Sequence, residues 1–304
     1  MNKTIRIGTR DSELATWQAK AVAKKLQNLG FKTKLVFVKS EGDIDLTTPL
    51  TEMGGKGVFT KALDDALLEN RIDLAVHSYK DLPTQNPLPL KVTAVLQRED
   101  PRDSLVAPKG TLFLDDENFE AVIATSSNRR KAQWLHRYPN HTITNIRGNV
   151  NTRLRKVEDN GWDGAIFAAA GLKRINLDHH ISLFLDWMVP APAQGAMAVM
   201  INEENAVLEK ITANLNHPES ELCTRLERDL LNEMEAGCSA PVGAFAWLDG
   251  NDVILHAVAL KTDGSLQYDI EKKSPVNQSG DLGRMAAREI LKQGADKLVE
   301  EIRK

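Results

Sequence analysis

Short apolar runs alternate with helix-period segments through the first two-thirds of this chain, a pattern that restricts it to α/β architecture with largely parallel sheets. Ile5–Gly8 reads as a strand, and Leu14, Trp17, Ala21, Val22 and Leu26 follow at helical spacing up to a stop at Gly30. Further strands are predicted at Leu35–Val38, Leu74–Val76 and Val92–Leu96, with a helix over Phe59–Leu68. After the charged, proline-containing segment Arg98-Glu99-Asp100-Pro101-Arg102-Asp103 a second series begins. It runs as strand Val122–Ala124, helix Arg129–His136, strand Thr142–Ile146, helix Val150–Val157 and strand Ala165–Ala168. Pro190-Ala191-Pro192-Ala193-Gln194-Gly195 is a second breaker-rich crossing, followed by the apolar strand Ala196–Ile201. Two crossings predict that the chain leaves one domain, builds a second, and returns.

The last third changes character. A helix over about Glu219–Glu235 precedes three strand-like runs, Gly243–Leu248, Val253–Leu260 and Leu266–Glu271, and an amphipathic helix follows over about Leu282–Ile302. The expected organisation is three domains: residues 1–98 with 195–216, residues 101–192, and a small α+β domain at 218–304. At 304 residues the chain is too long for one ordinary core, which suits that division.

Charge is distributed unevenly. The formal net charge is −3, yet Thr125–Ile175 holds seven Arg and three Lys against one Glu and two Asp. That concentration points to an anionic ligand. Nucleic acid fits poorly, because the basic stretch lacks interleaved aromatics and the chain is acidic as a whole. No apolar run approaches the roughly 20 residues needed to span a bilayer. The N-terminus enters a strand at once, so no export signal is expected. With only Cys223 and Cys238, neither a disulfide framework nor a metal-spaced cluster is expected, and a cytoplasmic setting is the simplest.

Ligands of open α/β sheets collect at the carboxyl ends of strands, near free helix N-termini. Four such strand ends carry polar or cationic groups: Thr9-Arg10-Asp11-Ser12, His77-Ser78-Tyr79-Lys80-Asp81, Thr125-Ser126-Ser127-Asn128-Arg129-Arg130 and Arg147-Gly148-Asn149. Any one alone reads equally as a helix cap or solvated turn; together they suggest a site. Arginine suits carboxylate binding because its planar fork makes two-point contacts and keeps its charge. Arg155 is expected to be solvated, since it faces away from Arg153 on a helix. Asp81 is either a turn cap or ion-pair partner, or a carboxylate that holds N–H donors and stabilises a cation. His77 reads as a hydrogen-bonded structural histidine. The segment from about Glu41 to Val58, with Gly54-Gly55-Lys56-Gly57, is a lid or plain disorder. Cys223 sits among leucines at helical spacing and reads as core. Cys238, in Glu235-Ala236-Gly237-Cys238-Ser239-Ala240-Pro241, is a buried small hydrophobe or an accessible nucleophile on a turn.

These segments resemble one family, porphobilinogen deaminase. The matching stretches are IRIGTRDSELATWQA, GGKGVFTKALDDALLENRIDLAVHSYKDLPT, REDPRDSLV, TSSNRRKAQW, IRGNVNTRLRK, AAAGLKRI, PAQGAMAV and EAGCSAPVG, in the family's order over nearly the whole chain. The resemblance implies two periplasmic-binding-protein-like doubly wound domains and a small α+β C-terminal domain. It implies a dipyrromethane cofactor in thioether linkage to Cys238, on which four porphobilinogen units condense head to tail with loss of ammonia. Water then releases hydroxymethylbilane. Porphobilinogen is the implied partner, the family is typically monomeric, and neither metal, nucleic acid nor membrane is expected.

By the same resemblance Asp81 is the catalytic carboxylate, and Cys238, Lys80, Asp81, Ser126, Ser127, Arg129, Arg130 and Arg153 bind the cofactor. Arg10, Ser12, Arg147, Arg153, Arg174 and Gln194 are implied to bind substrate, and Lys56 matches a lid lysine. The chain departs from the family pattern at Asn128, where an apolar residue is common, and at Ala193 and Ala236, each in place of a usual glycine. Glu52 stands where some members have lysine. The competing readings are a non-catalytic binding protein with the same two lobes, which would normally be exported, and a regulatory protein using the basic stretch to bind a polyanion.

Overall fold

The computed structural model describes residues 4–39, 60–85, 87–237 and 240–298. The chain divides into two compact units, Met1–Glu99 with Gly195–Leu222, and Asp100–Gln194 with Cys223–Lys304. The segment from Glu41 to Val58 with Lys56 and Glu52, and Cys238 itself, lie outside the described residues.

In the first unit, five strands form one sheet. They are β1 (Ile5–Thr9), β2 (Thr33–Phe37), β3 (Leu74–Ser78), β4 (Leu90–Val95) and β10 (Met197–Asn202), in the order β2-β1-β3-β10-β4. β1 pairs in parallel with β2 and β3, whereas β10 runs antiparallel to both neighbours. The sheet is thus mixed where a largely parallel one was expected, because β10 returns from the second crossing and enters from the opposite end. Its alternation shows why it is apolar throughout. Met197, Val199 and Ile201 pack with α1 (Glu13–Asn28), while Ala198 and Met200 pack with α2 (Lys61–Leu68) on the other face. A strand buried on both faces has no polar side to show. Gly8 leaves room for the side chains above it: a Cβ there would press on the Ile72 Cδ1 methyl, which would have to shift.

The second unit carries a sheet of the same pattern. Strands β5 (Asp103–Val106), β6 (Val122–Ala124), β7 (Thr142–Thr144), β8 (Gly164–Ala168) and β9 (Leu183–Phe184) lie in the order β7-β6-β8-β5-β9, with β5 antiparallel to β8 and β9. Helix α3 (Asn128–Arg137) brings Trp134 to one face, and α4 (Val150–Asp159) brings Leu154 and Val157 to the other. β5 was not expected. Asp103, read as the end of a charged connector, opens that strand and is completely buried.

The same unit holds an antiparallel three-stranded sheet, β11 (Val242–Asp249), β12 (Asp252–Leu260) and β13 (Gln267–Pro275). After the shorter helices α5 (Ala169–Arg174) and α6 (Ala206–Thr212) come the two that accompany it, α7 (Pro218–Glu233) and α8 (Leu282–Ile290). Gly283 lets these helices meet, since a Cβ would fall 2.1 Å from the Leu226 carbonyl oxygen. Ala132 of α3, Val189, Val258 and Leu260 form a shared apolar cluster. Cys223 is buried on α7, as its leucine neighbours foretold. The helix expected over about Leu282–Ile302 is interrupted by a π turn at Leu291–Ala295, where Gly294 has φ +118°, and resumes at 296–298; 299–302 lie outside the described residues. Among the described residues no helix is long and apolar enough to cross a membrane, and no group of three or more His, Cys, Asp or Glu is placed to hold a metal.

Candidate active site

In the first unit the carboxyl ends of β1 and β3 and the start of α2 enclose a small cleft. It is lined by Arg10, Ala15, Gln18, Thr60, Leu63, Val76, His77, Ser78 and Asp81. Asp81 ends a single 3-10 turn (Tyr79–Asp81) directly after β3 and is exposed, while the next residue, Leu82, is fully buried and anchors that turn. The Tyr79 N–H donates to the Ala196 carbonyl at 3.0 Å, tying the turn to the start of β10. Lys80 and Arg10 are half-buried. The structure therefore brings Arg10 and Asp81 together on one cleft and places Lys80 on the same turn.

Other expected residues take local roles. Ser12 caps α1, its Oγ accepting from Ala15 N at 3.3 Å. Sequence reasoning missed Gln18 and Thr60. Gln18 donates from Nε2 to Ser78 Oγ at 2.9 Å. Its signal was legible: a glutamine four residues before Val22 sits on the apolar face of α1, where a polar group needs a reason. Thr60 carried no such signal.

His77 departs from its expected role. It is 5% exposed, and its Nε2 is buried without a hydrogen-bond partner. Burial lowers its pKa to about 4, with the Arg10 charge acting in the same direction, so the ring is neutral near pH 7. Thr60 Oγ1 and, off the cleft, Asp64 Oδ1 are likewise buried, and among the described residues their side chains have only each other as partners. Burial raises Asp64 to about 6, against a lowering contribution from the Thr60 hydroxyl.

The arginine-rich stretch builds a second cluster, in the second unit. Arg129 Nη1 donates to Asp103 Oδ2 at 2.7 Å, and Arg130 donates to Oδ1 from Nε at 2.9 Å and lies 2.7 Å from it through Nη2. Gln194 Nε2 donates to the same Oδ1 at 2.9 Å and to the Pro101 carbonyl at 2.8 Å. Arg129, Arg130 and Gln194 were expected to face a ligand; here all three are buried and turn toward one carboxylate. Among the described residues the two guanidinium groups share the Asp103 carboxylate, and Arg129 Nε has no partner. Burial pulls the Arg129 pKa below the ordinary arginine value, opposed by Asp103 and reinforced by Arg130. The cluster thus retains positive charge and one unused donor, a donor set suited to a carboxylate-bearing group.

Ser126 and Ser127 are engaged locally. Ser126 Oγ donates to the Ile146 carbonyl at 2.8 Å and accepts from its N–H at 3.0 Å, while Ser127 caps α3. Arg147 and Arg153 are half-buried, with Arg153 Nε on the Gly148 carbonyl at 2.7 Å. Arg174 is buried on a short helix, Ala169–Arg174, and Arg155 is exposed as expected. Ala193, at the second crossing, has φ +62°, the left-handed region that favours glycine. Its N–H donates to Glu227 Oε2 at 2.6 Å.

Comparison with known proteins gives two family matches. Residues 5–210 match the model described as "Porphobilinogen deaminase, dipyromethane cofactor binding domain", and residues 221–292 match "Porphobilinogen deaminase, C-terminal domain". Among solved structures, the chain is similar to a probable amino-acid ABC transporter extracellular-binding protein from Bacillus subtilis, at 14% identity and TM-score 0.43, covering 71% of this chain and 90% of that one. An ancestral cationic amino acid solute binding protein is 15% identical at TM-score 0.40, covering 70% and 87%. The BvgS periplasmic VFT2 domain of Bordetella pertussis is 14% identical at TM-score 0.38, covering 70% and 86%.

Proposed function

The chain belongs to the porphobilinogen deaminase family, and from that premise we propose that it is a hydroxymethylbilane synthase whose condensation chemistry is run by Asp81 in the first-unit cleft. The family makes it a transferase of tetrapyrrole synthesis that works on a dipyrromethane cofactor. The observation that carries the reading is the Asp81 carboxylate on the first-unit cleft, and the second unit, taken by itself, adds buried arginines around Asp103; the substrate is at once a developing cation and a polycarboxylate.

When bound, the cofactor supplies the free pyrrole position to which each unit is joined. Arg129 and Arg130 are the proposed holders of its carboxylates, with Lys80, Arg153, Ser126 and Ser127 as further contacts, and Cys238 is the proposed attachment point. Arg10, Arg147 and Arg174 are proposed for the substrate's acetate and propionate groups, with Ser12 and Gln194 acting through the local geometry they set. Asp81 has the clearest task. As the aminomethyl C–N bond breaks, positive charge moves onto the pyrrole, and a nearby carboxylate stabilises that charge, the more so where bound substrate displaces water from it. Four additions followed by hydrolytic release complete the proposed cycle, and the three-domain division at 1–98 with 195–216, 101–192 and 218–304 is the accompanying proposal for its layout.

Intact mass tests the reading. The purified protein should carry a dipyrromethane adduct that Cys238→Ser abolishes, and Asp81→Asn should lose at least about a hundredfold in turnover with its fold retained. An unmodified wild-type mass in material that consumes porphobilinogen, or an Asp81→Asn variant at wild-type rate, would refute it.

A further inference from the structure

The cleft beside Asp81 holds two acceptor atoms that the protein leaves unanswered. His77 Nε2 and Thr60 Oγ1 are both buried, on side chains 5% and 2% exposed; among the described residues Nε2 has no partner, and the threonine oxygen accepts from none, its hydroxyl being engaged with Asp64. They come from different elements, β3 and the residue preceding α2, yet line one cleft with Asp81. Buried polar atoms are satisfied in the great majority of cases, and leaving one unpaired costs about 1–3 kcal/mol. Two on the same cleft imply that something which enters it completes them.

The chemistry of the lining selects the occupant. In the tautomer that carries its hydrogen on Nδ1, the Nε2 lone pair would stay unmet by a carboxylate drawn to Arg10. A pyrrole N–H supplies one donor. A primary ammonium supplies three, and the cleft offers three acceptors: the Asp81 carboxylate, the imidazole nitrogen and the threonine oxygen. Burial and the Arg10 charge keep the ring neutral, and its Nδ1–H tautomer is the one that accepts at Nε2.

We propose that His77 and Thr60 form the subsite that receives the aminomethyl ammonium of the substrate, His77 accepting through Nε2. This rests on the reading of the chain as a porphobilinogen-consuming enzyme. When the C–N bond breaks, its electron pair leaves with nitrogen, which keeps its three hydrogens and departs as neutral ammonia. The positive charge is left on the methylene–pyrrole system, and His77 neither gains nor loses a proton. A neutral acceptor grips an ammonium more strongly than ammonia, so its contribution lies mainly in binding. A second carboxylate at this position would hold the leaving group back, which gives a reason for an uncharged base here.

The test compares porphobilinogen with a pyrrole identical to it except for a methyl group in place of the aminomethyl, used as a competitive inhibitor of the cofactor-loaded protein. His77→Leu should raise KM for porphobilinogen about tenfold or more, change kcat less, and leave the inhibition constant of the methyl compound unaltered. Thr60→Val should shift KM in the same sense, and His77→Gln, which restores an acceptor, should recover most of the loss. In the wild type, ¹⁵N-histidine NMR should show the His77 resonance moving on addition of porphobilinogen but not of the methyl compound at equal occupancy. Equal weakening of both compounds by His77→Leu, or no weakening of either, overturns the subsite and leaves the family function standing. A cofactor-loaded wild type that consumes no porphobilinogen overturns the function and the subsite with it.

Discussion

Replacing Asp103 by Asn keeps shape and one acceptor while deleting the carboxylate that Arg129 and Arg130 share. Removing one partner of a buried ion pair costs about 3–5 kcal/mol, because the remaining charge stays desolvated. Here the side chains are 4% and 8% exposed, their partner 0%, and two cations are stranded together. The new amide also turns N–H groups toward donors, and Gln194 loses its charged acceptor. The expected loss is therefore at the upper end, about 4–5 kcal/mol, against a typical total stability of 5–15 kcal/mol. Urea unfolding followed by far-UV circular dichroism measures it. Adding Arg129→Gln to the variant should return part of the loss, since one of the stranded charges disappears, with a coupling energy of about 1–3 kcal/mol. A cost below about 1 kcal/mol, or strict additivity of the two substitutions, would refute the hub.

Ala193→Gly relieves a left-handed backbone that costs an alanine about 1–2 kcal/mol, offset by glycine's greater unfolded freedom of about 0.5–1 kcal/mol; a net gain of up to about 1 kcal/mol is expected in thermal unfolding, and a loss larger than that would show that the buried methyl matters more. Gly283→Ala places a methyl against the Leu226 carbonyl oxygen, and a loss of about 1–3 kcal/mol is expected because backbone cannot step aside; wild-type stability would contradict the close approach of α7 and α8. For His77 the folded value of about 4 lies below the unfolded value near 6.5, so the folded state binds fewer protons in that window and stability is lost as pH falls through it. His77→Gln should accordingly gain on the wild type by about 2–3 kcal/mol between pH 7.5 and pH 4, and a difference that does not vary with pH would refute the buried neutral ring.

Much of this architecture is legible because both sheets are covered on two faces, which writes their strands as apolar runs such as Met197–Ile201. The helices announced themselves through periodicity and through Ser12, Ser127 and Asn149, hydroxyl or amide caps at their starts. β5 escaped because it begins with Asp103 and Ser104, polar residues whose burial depends on arginines 26 positions away; nothing local distinguishes such an aspartate from one in a solvated turn. β9 is two residues long, too short for any period. At the site, Arg10 and Asp81 were foreseen from their positions after strands. The inward turn of Arg129 and Arg130 was not, because charge density in a sequence says which sign gathers and not which partner it meets. His77 was misjudged for the same reason: an unanswered nitrogen is a property of the surrounding space.

The interrupted first unit bears on how the chain reaches its structure. β10 sits between β3 and β4, yet about 120 residues separate it from β3 along the chain. During synthesis at about 5–20 residues per second, the facing edges of β3 and β4 must wait several seconds or longer for the strand that closes them, while the intervening segment emerges. A nascent chain halted between Val95 and Met197 presents two apolar edges without the strand that joins them. This makes the second crossing the point after which a ribosome-bound intermediate should cease to be a client for chaperones.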